Sequence, residues 1–462
     1  MNVGGIDMKH PKVVVLGAGS LFFGRQAIWQ MVHSPHLNKG TLSLIDTNTD
    51  RLNKLVTLAK MVAEENNVPL TIEGSTDRLD VLDGADFVIL SFANNTVKYR
   101  GIDCEISEKY GIRMCSGDTI GPGGIFRAMR ELPEIMACAK DIQEVCPDAW
   151  VINYINPSTV HGMALKRYWP KLKSFALCDS HHMPHKKILY AERAGMIKNA
   201  SDYSETIDKQ FDLRIAGVNH FTWLLKADYQ GKDVAPLIAD SLRKSGETET
   251  VGGDVGAKAL FNDAISYQLY EIFGYVPTCT AHTKEYVPYW QGLGTKESII
   301  PPLSIWETEE RYERHDEMWK EIDDFLSGKT PIKEYLNTYG PDHATDVIES
   351  MVSGSGQTFY INTQNNGAVT NMNDDAFLEL LCDVSMDGIT PLPVGEMPRG
   401  IRGLQEVILD THELTAQAVV ENDPIKLRRA MLTDPLIHSI EDADQIIKEL
   451  LEAEKEAIAF RP

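Results

Sequence analysis

The sequence lacks the features that mark membrane, secreted and disulfide-bonded proteins. No run of about 18 consecutive apolar residues occurs, so we expect no membrane-spanning helix. Residues 1–7 lack the basic and apolar regions of a signal peptide. The seven cysteines are an odd, scattered set without a C-x-x-C pair, which is typical of reduced thiols. We therefore expect a cytoplasmic protein.

Basic residues are also scarce. Lysine and arginine number 45 against 67 aspartates and glutamates, which gives a formal net charge of −22. So acidic a chain repels phosphates, and we expect no nucleic-acid partner. The 462 residues, of which 43% are hydrophobic, are enough for two domains of roughly 200 residues each.

The strongest local pattern lies near the start of the chain. An apolar run, Lys12–Leu16, leads into Gly17, Gly19 and Ser20, and a helical pattern follows. The two glycines allow a sharp turn and a close approach of a pyrophosphate, which the free N–H groups of the helix attract. Phe22 replaces the third glycine of the full dinucleotide-binding motif, so the turn alone is a weak signal.

A second apolar run strengthens that interpretation. Thr41–Ile45 ends in Asp46, which is placed to bind the adenosine ribose hydroxyls of NAD and to repel a 2′-phosphate. The alternative is a turn that binds nothing, with Asp46 capping a helix that begins near Asn48.

The order of elements predicts an α/β protein. Alternating strand and helix patterns continue to the apolar strand at 86–91, which leads to Asn94, and to the strand before Asn153. Such an order predicts a parallel sheet, whose carboxyl edge binds ligands. We expect a helix from about 125 to 145 with a kink or break at Pro133, and later helical patterns near 265–273, 312–325, 378–381 and 403–430.

Several polar residues are candidates for chemistry. Cys178 and His220 each end a short apolar run, and a thiolate with an imidazole suits a divalent transition metal that keeps open positions. The alternative is a buried thiol and a hydrogen-bonded core histidine. Asp179 is either an acid or a helix cap, and Asp118, in a glycine-rich loop, is either a ligand-side carboxylate or a turn residue.

Two tyrosines and one arginine complete the candidates. Tyr286 and Tyr289 could act as a base if a cation lowered the pKa of either one, although aromatic packing is the commoner role. Arg100 is a candidate contact for a carboxylate or phosphate group of a ligand, or a surface charge.

These motifs together resemble glycoside hydrolase family 4. The resemblance covers nearly the whole chain and is carried by residues 15–20, 117–124, 153–157, 178–179, 217–220 and 365–369. It implies an N-terminal Rossmann domain over 1–200 and a mixed, largely helical α+β domain over 201–462, as in lactate and malate dehydrogenases. It also implies a redox route, in which NAD⁺ takes hydride from C3 of the sugar and the acidified C2 proton is removed before the C1–O bond breaks. Water then adds back, and NADH returns the hydride.

The resemblance also implies site residues. Cys178 and His220 match the ligands of a divalent metal, typically Mn²⁺. Asp179 matches an acid, Asp118 a carboxylate near the reaction centre, and Asn153 a position that contacts sugar and cofactor.

Two further asparagines and a tyrosine are predicted in the same way. We expect Asn94 at the cofactor and Asn219 at the substrate. The base tyrosine lies in the region of Tyr286 and Tyr289, and we favour Tyr286.

The cues to the substrate conflict. The loop at 117–124 is similar to the α-galactosidase and α-galacturonidase branch, whereas Cys178 followed by Asp179 is similar to 6-phospho-α-glucosidases. We expect an α-glycoside of non-phosphorylated glucose, galactose or a uronic acid, hydrolysed by a homodimer or homotetramer. The alternatives are a 6-phospho-α-glucosidase, a malate- or lactate-type 2-hydroxy-acid dehydrogenase, and a non-enzymatic nucleotide sensor.

Overall fold

The apolar runs of the sequence form the strands of one mixed sheet. The structure, a computed structural model, describes residues 10–20, 23–114, 116–248, 263–279, 282–290 and 308–460. Within these ranges the strands are β1 (Lys12–Leu16), β2 (Thr41–Ile45), β3 (Thr71–Ser75), β4 (Phe87–Leu90), β5 (Trp150–Asn153), β6 (Lys173–Ala176), β7 (Phe211–Val218), β8 (Phe221–Tyr229), β9 (Lys232–Asp233), β10 (Val276–Pro277), β11 (Thr358–Gln364), β12 (Phe377–Ser385) and β13 (Gly388–Pro391).

Helices cover both faces of this sheet. They are α1 (Phe23–His33), α2 (Thr49–Glu65), α3 (Thr96–Lys109), α4 (Gly121–Val145), α5 (Ser158–Tyr168), α6 (His185–Arg193), α7 (Glu205–Gln210), α8 (Ala235–Thr248), α9 (Asp263–Phe273), α10 (Thr308–Leu326), α11 (Tyr335–Thr338), α12 (His343–Ser353), α13 (Arg399–Glu421), α14 (Pro424–Thr433) and α15 (Ile440–Ala453). None of these described helices combines the length and apolarity needed to cross a membrane.

The strand order confirms the predicted α/β class. Strands β3, β2, β1, β4, β5 and β6 lie side by side in that order and are all parallel, which is the order of a dinucleotide-binding domain. The same sheet continues through β11, β12, β7, β8 and β10 in antiparallel pairs. The second half of the chain therefore extends the sheet of the first half, and the division near residue 200 stays a prediction.

The central strands are buried on both sides. Val13 and Val15 pack into the core on one face of the sheet, and Val14 and Leu16 pack into the core on the other. Strands covered by helices on both faces read as continuous apolar runs rather than as alternating patterns. This property made the N-terminal strands easy to find in the sequence.

Three sequence expectations need correction. Helix α4 begins at Gly121, because Pro122 fits the first helical turn, and it continues through Pro133, so the predicted break is wrong and a kink there stays a prediction. The segment 378–381 belongs to strand β12, so its helical prediction is wrong; a short buried apolar run does not distinguish helix from strand. The pattern at 403–430 divides at Asn422, whose backbone is left-handed (φ 51°), into α13 and α14.

Candidate active site

A large cavity lies at the carboxyl edge of the parallel strands. Its volume is about 1180 Å³, and α10, from the second half of the chain, contributes to its wall. Five residues predicted to bind the cofactor and one predicted to bind substrate line it, namely Gly17, Gly19, Ser20, Asp46, Asn94 and Arg100. The structure thus brings residues from the ends of several strands to one cleft, where α/β proteins bind ligands.

The glycine turn is closely packed against its surroundings. Gly17 has φ +86°, and a Cβ there would lie 2.5 Å from the backbone N of Phe92. The N–H of Gly19 donates to Asp46 Oδ2 at 2.8 Å, and the N–H of Asn48 donates to Asp46 Oδ1 at 2.8 Å. Asp46 therefore shapes the turn, whereas the cap of α2 is Asn48. Its contact with a ribose stays a prediction.

The two asparagines predicted at the cofactor differ in their surroundings. Asn94 is exposed at the cavity, and its backbone N–H donates to the Glu131 carboxylate. Asn153 is fully buried, and both polar atoms of its amide bond the backbone of Ile155. Contact between Asn153 and a ligand stays a prediction.

Cys178 and His220 lie side by side. The distance from Cys178 Sγ to His220 Nε2 is 3.1 Å, although 42 residues separate them. Cys178 follows β6, and His220 is the second residue of the two-residue turn between β7 and β8, where its backbone is left-handed (φ 64°). Burial lowers the pKa of His220, which favours the neutral imidazole that a metal ion needs.

This pair fits part of a metal site. A thiolate and an imidazole suit a divalent transition ion, and two protein ligands leave positions for water or substrate oxygens. Within the described ranges no group of three or more histidine, cysteine or acidic side chains is arranged to hold a metal. The ring of His282 stacks on that of His220, with centroids 4.0 Å apart and planes 7° apart.

Asp118 is held by cationic and polar side chains. Its Oδ2 accepts from Arg127 at 2.8 Å and lies 3.4 Å from Arg100 Nη2, and its Oδ1 accepts from Ser116 Oγ at 2.8 Å. Burial alone would raise the pKa of Asp118, but Arg100 and Arg127 hold it well below its usual value. These contacts favour the ionised carboxylate, and the place of Asp118 at the reaction centre stays a prediction.

Arg100 is engaged in the same cluster. Its Nε donates to the carbonyl of Ser116 at 2.9 Å, and its Nη2 contacts Ser116 Oγ and Asp118. In this arrangement the guanidinium balances a buried carboxylate. Recognition of a 6-phosphate or 6-carboxylate by Arg100 stays a prediction.

The two candidate tyrosines occupy contrasting environments. Tyr286 is 1% exposed, stacks on Phe221, and donates its hydroxyl to the carbonyl of Asn219 at 2.9 Å. Burial holds the pKa of Tyr286 well above its usual value. Tyr289 is 51% exposed. Of the two tyrosines, Tyr286 contacts the turn that carries His220. That Tyr286 or Tyr289 acts as the base stays a prediction.

The remaining predicted residues, Asn219 and Asp179, are neighbours in sequence of His220 and Cys178. Asn219 is buried directly before His220, and its Oδ1 accepts from Ser158 Oγ at 2.8 Å. The side chain of Asp179 lies outside what the structure describes, so its role as an acid stays a prediction. Sequence reasoning missed Glu379, a fully buried acid within the apolar strand β12; a single carboxylate inside such a run was the available signal.

The comparisons with known proteins agree with this architecture. Residues 12–192 match the family model of family 4 glycosyl hydrolases, and residues 215–437 match that of the family 4 glycosyl hydrolase C-terminal domain. An α-galactosidase of Bacillus subtilis (strain 168) is 29% identical over 433 residues, which cover 92% of this chain and 93% of that protein. A probable 6-phospho-β-glucosidase of the same organism is 30% identical over 456 residues, 97% of each chain.

A solved structure shows the same fold. It is a 6-phospho-α-glucosidase from gut microorganisms in complex with NAD and Mn²⁺, with a TM-score of 0.80 at 21% identity over 97% of this chain and 99% of that one. The fold and the site define an α/β enzyme with a dehydrogenase-like sheet and a cleft at its carboxyl edge. The chain belongs to family 4 of the glycosyl hydrolases, and it is an enzyme that cleaves glycosidic bonds.

Proposed function

We propose that this chain is an NAD- and Mn²⁺-dependent α-glycosidase. Its substrate is an α-glycoside of non-phosphorylated glucose, galactose or a uronic acid. The observation that carries the proposal is the contact between Cys178 and His220 at 3.1 Å, on the same edge of the sheet as the Gly17 turn. A related fold has been solved with NAD and Mn²⁺.

The two cofactors supply different parts of the reaction. When bound, NAD⁺ supplies a reversible acceptor for the hydride at C3, and the metal supplies a Lewis acid for the sugar oxygens at C2 and C3. Cys178 and His220 would hold the metal, and Gly17 and Gly19 would admit the pyrophosphate. Asp46 would bind the adenosine ribose.

The chain's own residues then place the sugar and move its protons. Asp118 stays anionic at neutral pH and accepts hydrogen bonds, so it fixes the loop at 116–124 without exchanging a proton. We propose that Asp179, as the carboxylic acid, donates a proton to the leaving group and that the phenolate oxygen of Tyr286 accepts the C2 proton. A nearby divalent cation lowers the pKa of a phenol, which offsets the burial of Tyr286.

The identity of the sugar rests on the relatives and on Arg100. One relative is named an α-galactosidase and another a probable 6-phospho-β-glucosidase, so both sugar classes belong in the test. Because Arg100 already pairs with Asp118 and Ser116, we favour a sugar without a 6-phosphate.

A substrate panel tests the function. 4-Nitrophenyl α-glycosides of glucose, galactose and galacturonic acid, and the 6-phosphates of the first two, are assayed with and without NAD⁺, Mn²⁺ and reductant. We expect turnover only with both cofactors, slower reaction of C2- or C3-deuterated substrate, and exchange of the C2 proton with solvent. Hydrolysis that is undiminished after complete removal of NAD⁺ would refute the proposal.

We further propose a cytoplasmic homodimer or homotetramer. The described cysteines are all free thiols, as a reducing compartment favours. Light scattering coupled to size-exclusion chromatography measures the mass of the assembly, and a monomer at micromolar concentration would contradict this assignment.

A further inference from the structure

Glu379 is a buried carboxylate to which the reaction gives no role. It lies within β12, opposite Gly217 of β7 and Asn362 of β11, and its side chain is fully buried. An ionised carboxylate is costly to bury unless its oxygens are hydrogen-bonded. Burial alone would raise the pKa of Glu379, but the neighbouring His181 holds that pKa below its usual value, so the charged form persists.

One oxygen of Glu379 contacts the segment that carries Cys178. His181 Nδ1 lies 2.7 Å from Glu379 Oε1, and its Nε2 lies 3.0 Å from the hydroxyl of Thr278. His181 is three residues from Cys178, and the intervening Ser180 contacts the Cys178 thiol at 3.0 Å through its hydroxyl. Glu379 therefore fixes the short segment that begins at the thiol.

The other oxygen of Glu379 contacts the turn that carries His220. Asn219 Nδ2 donates to Glu379 Oε2 at 3.4 Å, and Asn219 Oδ1 accepts from Ser158 at 2.8 Å. His220 follows directly with a left-handed backbone, which a side chain other than glycine adopts only when its surroundings hold it. Among the described residues, His220 Nδ1 has no hydrogen-bond partner, so the orientation of the ring depends on this turn and on the stacked His282.

We propose that Glu379 is a positioning residue that holds Cys178 and His220 at the spacing a divalent metal requires. It acts through His181 on one side and through Asn219 on the other, and it contacts neither the metal nor the substrate. The proposal rests on the proposed metal-dependent function. Mutation of a group that orients a metal ligand through hydrogen bonds typically lowers metal affinity by about 10- to 100-fold.

The test compares metal affinity with nucleotide affinity in the full-length protein. In Glu379→Gln the side chain keeps its shape but loses its charge and one of its two acceptor oxygens, so it can accept a hydrogen bond from only one of His181 and Asn219. We expect the Kd for Mn²⁺, measured by calorimetry, to rise about 10-fold or more, with the Kd for NAD⁺ unchanged. A merely structural role would lower the unfolding temperature and leave the Mn²⁺ affinity of the folded protein unaltered.

Two further variants complete the design. Glu349→Gln is the control. It makes the same chemical change at a half-buried carboxylate of α12, which accepts from the hydroxyl of Ser34 at 2.8 Å. Ser158→Ala releases Asn219 from the opposite side without touching the buried charge, and it should also weaken Mn²⁺ binding. If Glu379→Gln does not fold, Ser158→Ala decides the question.

The outcomes separate the two proposals. If the wild-type protein binds no Mn²⁺, the proposed function fails and this inference fails with it. If the wild type binds Mn²⁺ and Glu379→Gln binds it within about twofold of Glu349→Gln, only the positioning role is overturned. The positioning role is likewise overturned if Ser158→Ala binds Mn²⁺ within about twofold of Glu349→Gln.

Discussion

The turn at Gly17 allows a quantitative test of how the cofactor cleft is built. The residue has φ +86°, and an added Cβ would lie 2.5 Å from both the Cα and the backbone N of Phe92. The left-handed conformation costs an alanine about 1–2 kcal/mol, and forcing a methyl group into packed backbone costs about 1–3 kcal/mol. Gly17→Ala should therefore lower the free energy of unfolding by about 2–5 kcal/mol, a large fraction of a typical total.

Two other glycines separate the cost of the left-handed backbone from the cost of the steric contact. Gly84 has a similar φ of +72°, but an added Cβ meets nothing within 4 Å, so Gly84→Ala should cost only the conformational term of about 1–2 kcal/mol. At Gly19 the Cβ would meet Asp46 Oδ2, a side-chain atom that can move. Gly19→Ala should therefore preserve stability but disrupt the Asp46 bond and weaken NAD⁺ binding.

Urea unfolding and calorimetric titration with NAD⁺ measure these effects. The expected order of stability is wild type, then Gly19→Ala, then Gly84→Ala, with Gly17→Ala lowest. The reasoning is refuted if Gly17→Ala is as stable as Gly84→Ala, since the backbone contact with Phe92 would then carry no cost. It is also refuted if Gly19→Ala binds NAD⁺ as tightly as the wild type.

The remaining predictions concern the reaction centre. Asp118→Asn leaves buried guanidinium groups unbalanced and should lower the free energy of unfolding by about 3–5 kcal/mol in urea at pH 7. Since the folded-state pKa of Asp118 is lowered, its stabilisation is present above the unfolded-state pKa and is lost only as the pH falls through the folded-state pKa. A loss of wild-type stability between pH 8 and 6 therefore cannot come from Asp118. Tyr286→Phe should reduce kcat by about 100-fold or more if its hydroxyl is the base, while Tyr289→Phe stays within about twofold; the reverse order in steady-state kinetics would exclude Tyr286. Cys178→Ser should abolish Mn²⁺-dependent activity and retain NAD⁺ affinity, and full Mn²⁺ binding by this variant in calorimetry would contradict its role as a ligand.

Parts of the site were readable in the sequence because their signals are local. Glycines at a strand end and an acid after the second strand mark a dinucleotide turn without knowledge of the rest of the chain. The structure places Gly17, Gly19 and Asp46 at one cleft, with Gly19 bonded to Asp46. The helical prediction at 378–381 failed because an isolated apolar run fits a buried strand equally well.

Other parts depend on which distant segments meet. The arginines that hold Asp118 were visible as residues, but their convergence on one carboxylate depends on how α3, α4 and the loop at 116–120 pack. The partners of Glu379 lie 198 and 160 residues away in the chain. No local period or turn signal encodes such separations.

The sequence by itself determined the run of parallel strands, the glycine turn and the absence of strong basic charge, because hydrophobic period, turn chemistry and composition act over a few residues. Only the tertiary structure decided that Cys178 contacts His220, that Arg100 pairs with Asp118, and that Glu379 contacts Asn219 next to His220. The contacts of Cys178, His220 and Glu379 follow from the order in which β6, β11, β12 and β7 join one sheet, whereas the pairing of Arg100 with Asp118 follows from the packing of α3 against the loop before α4.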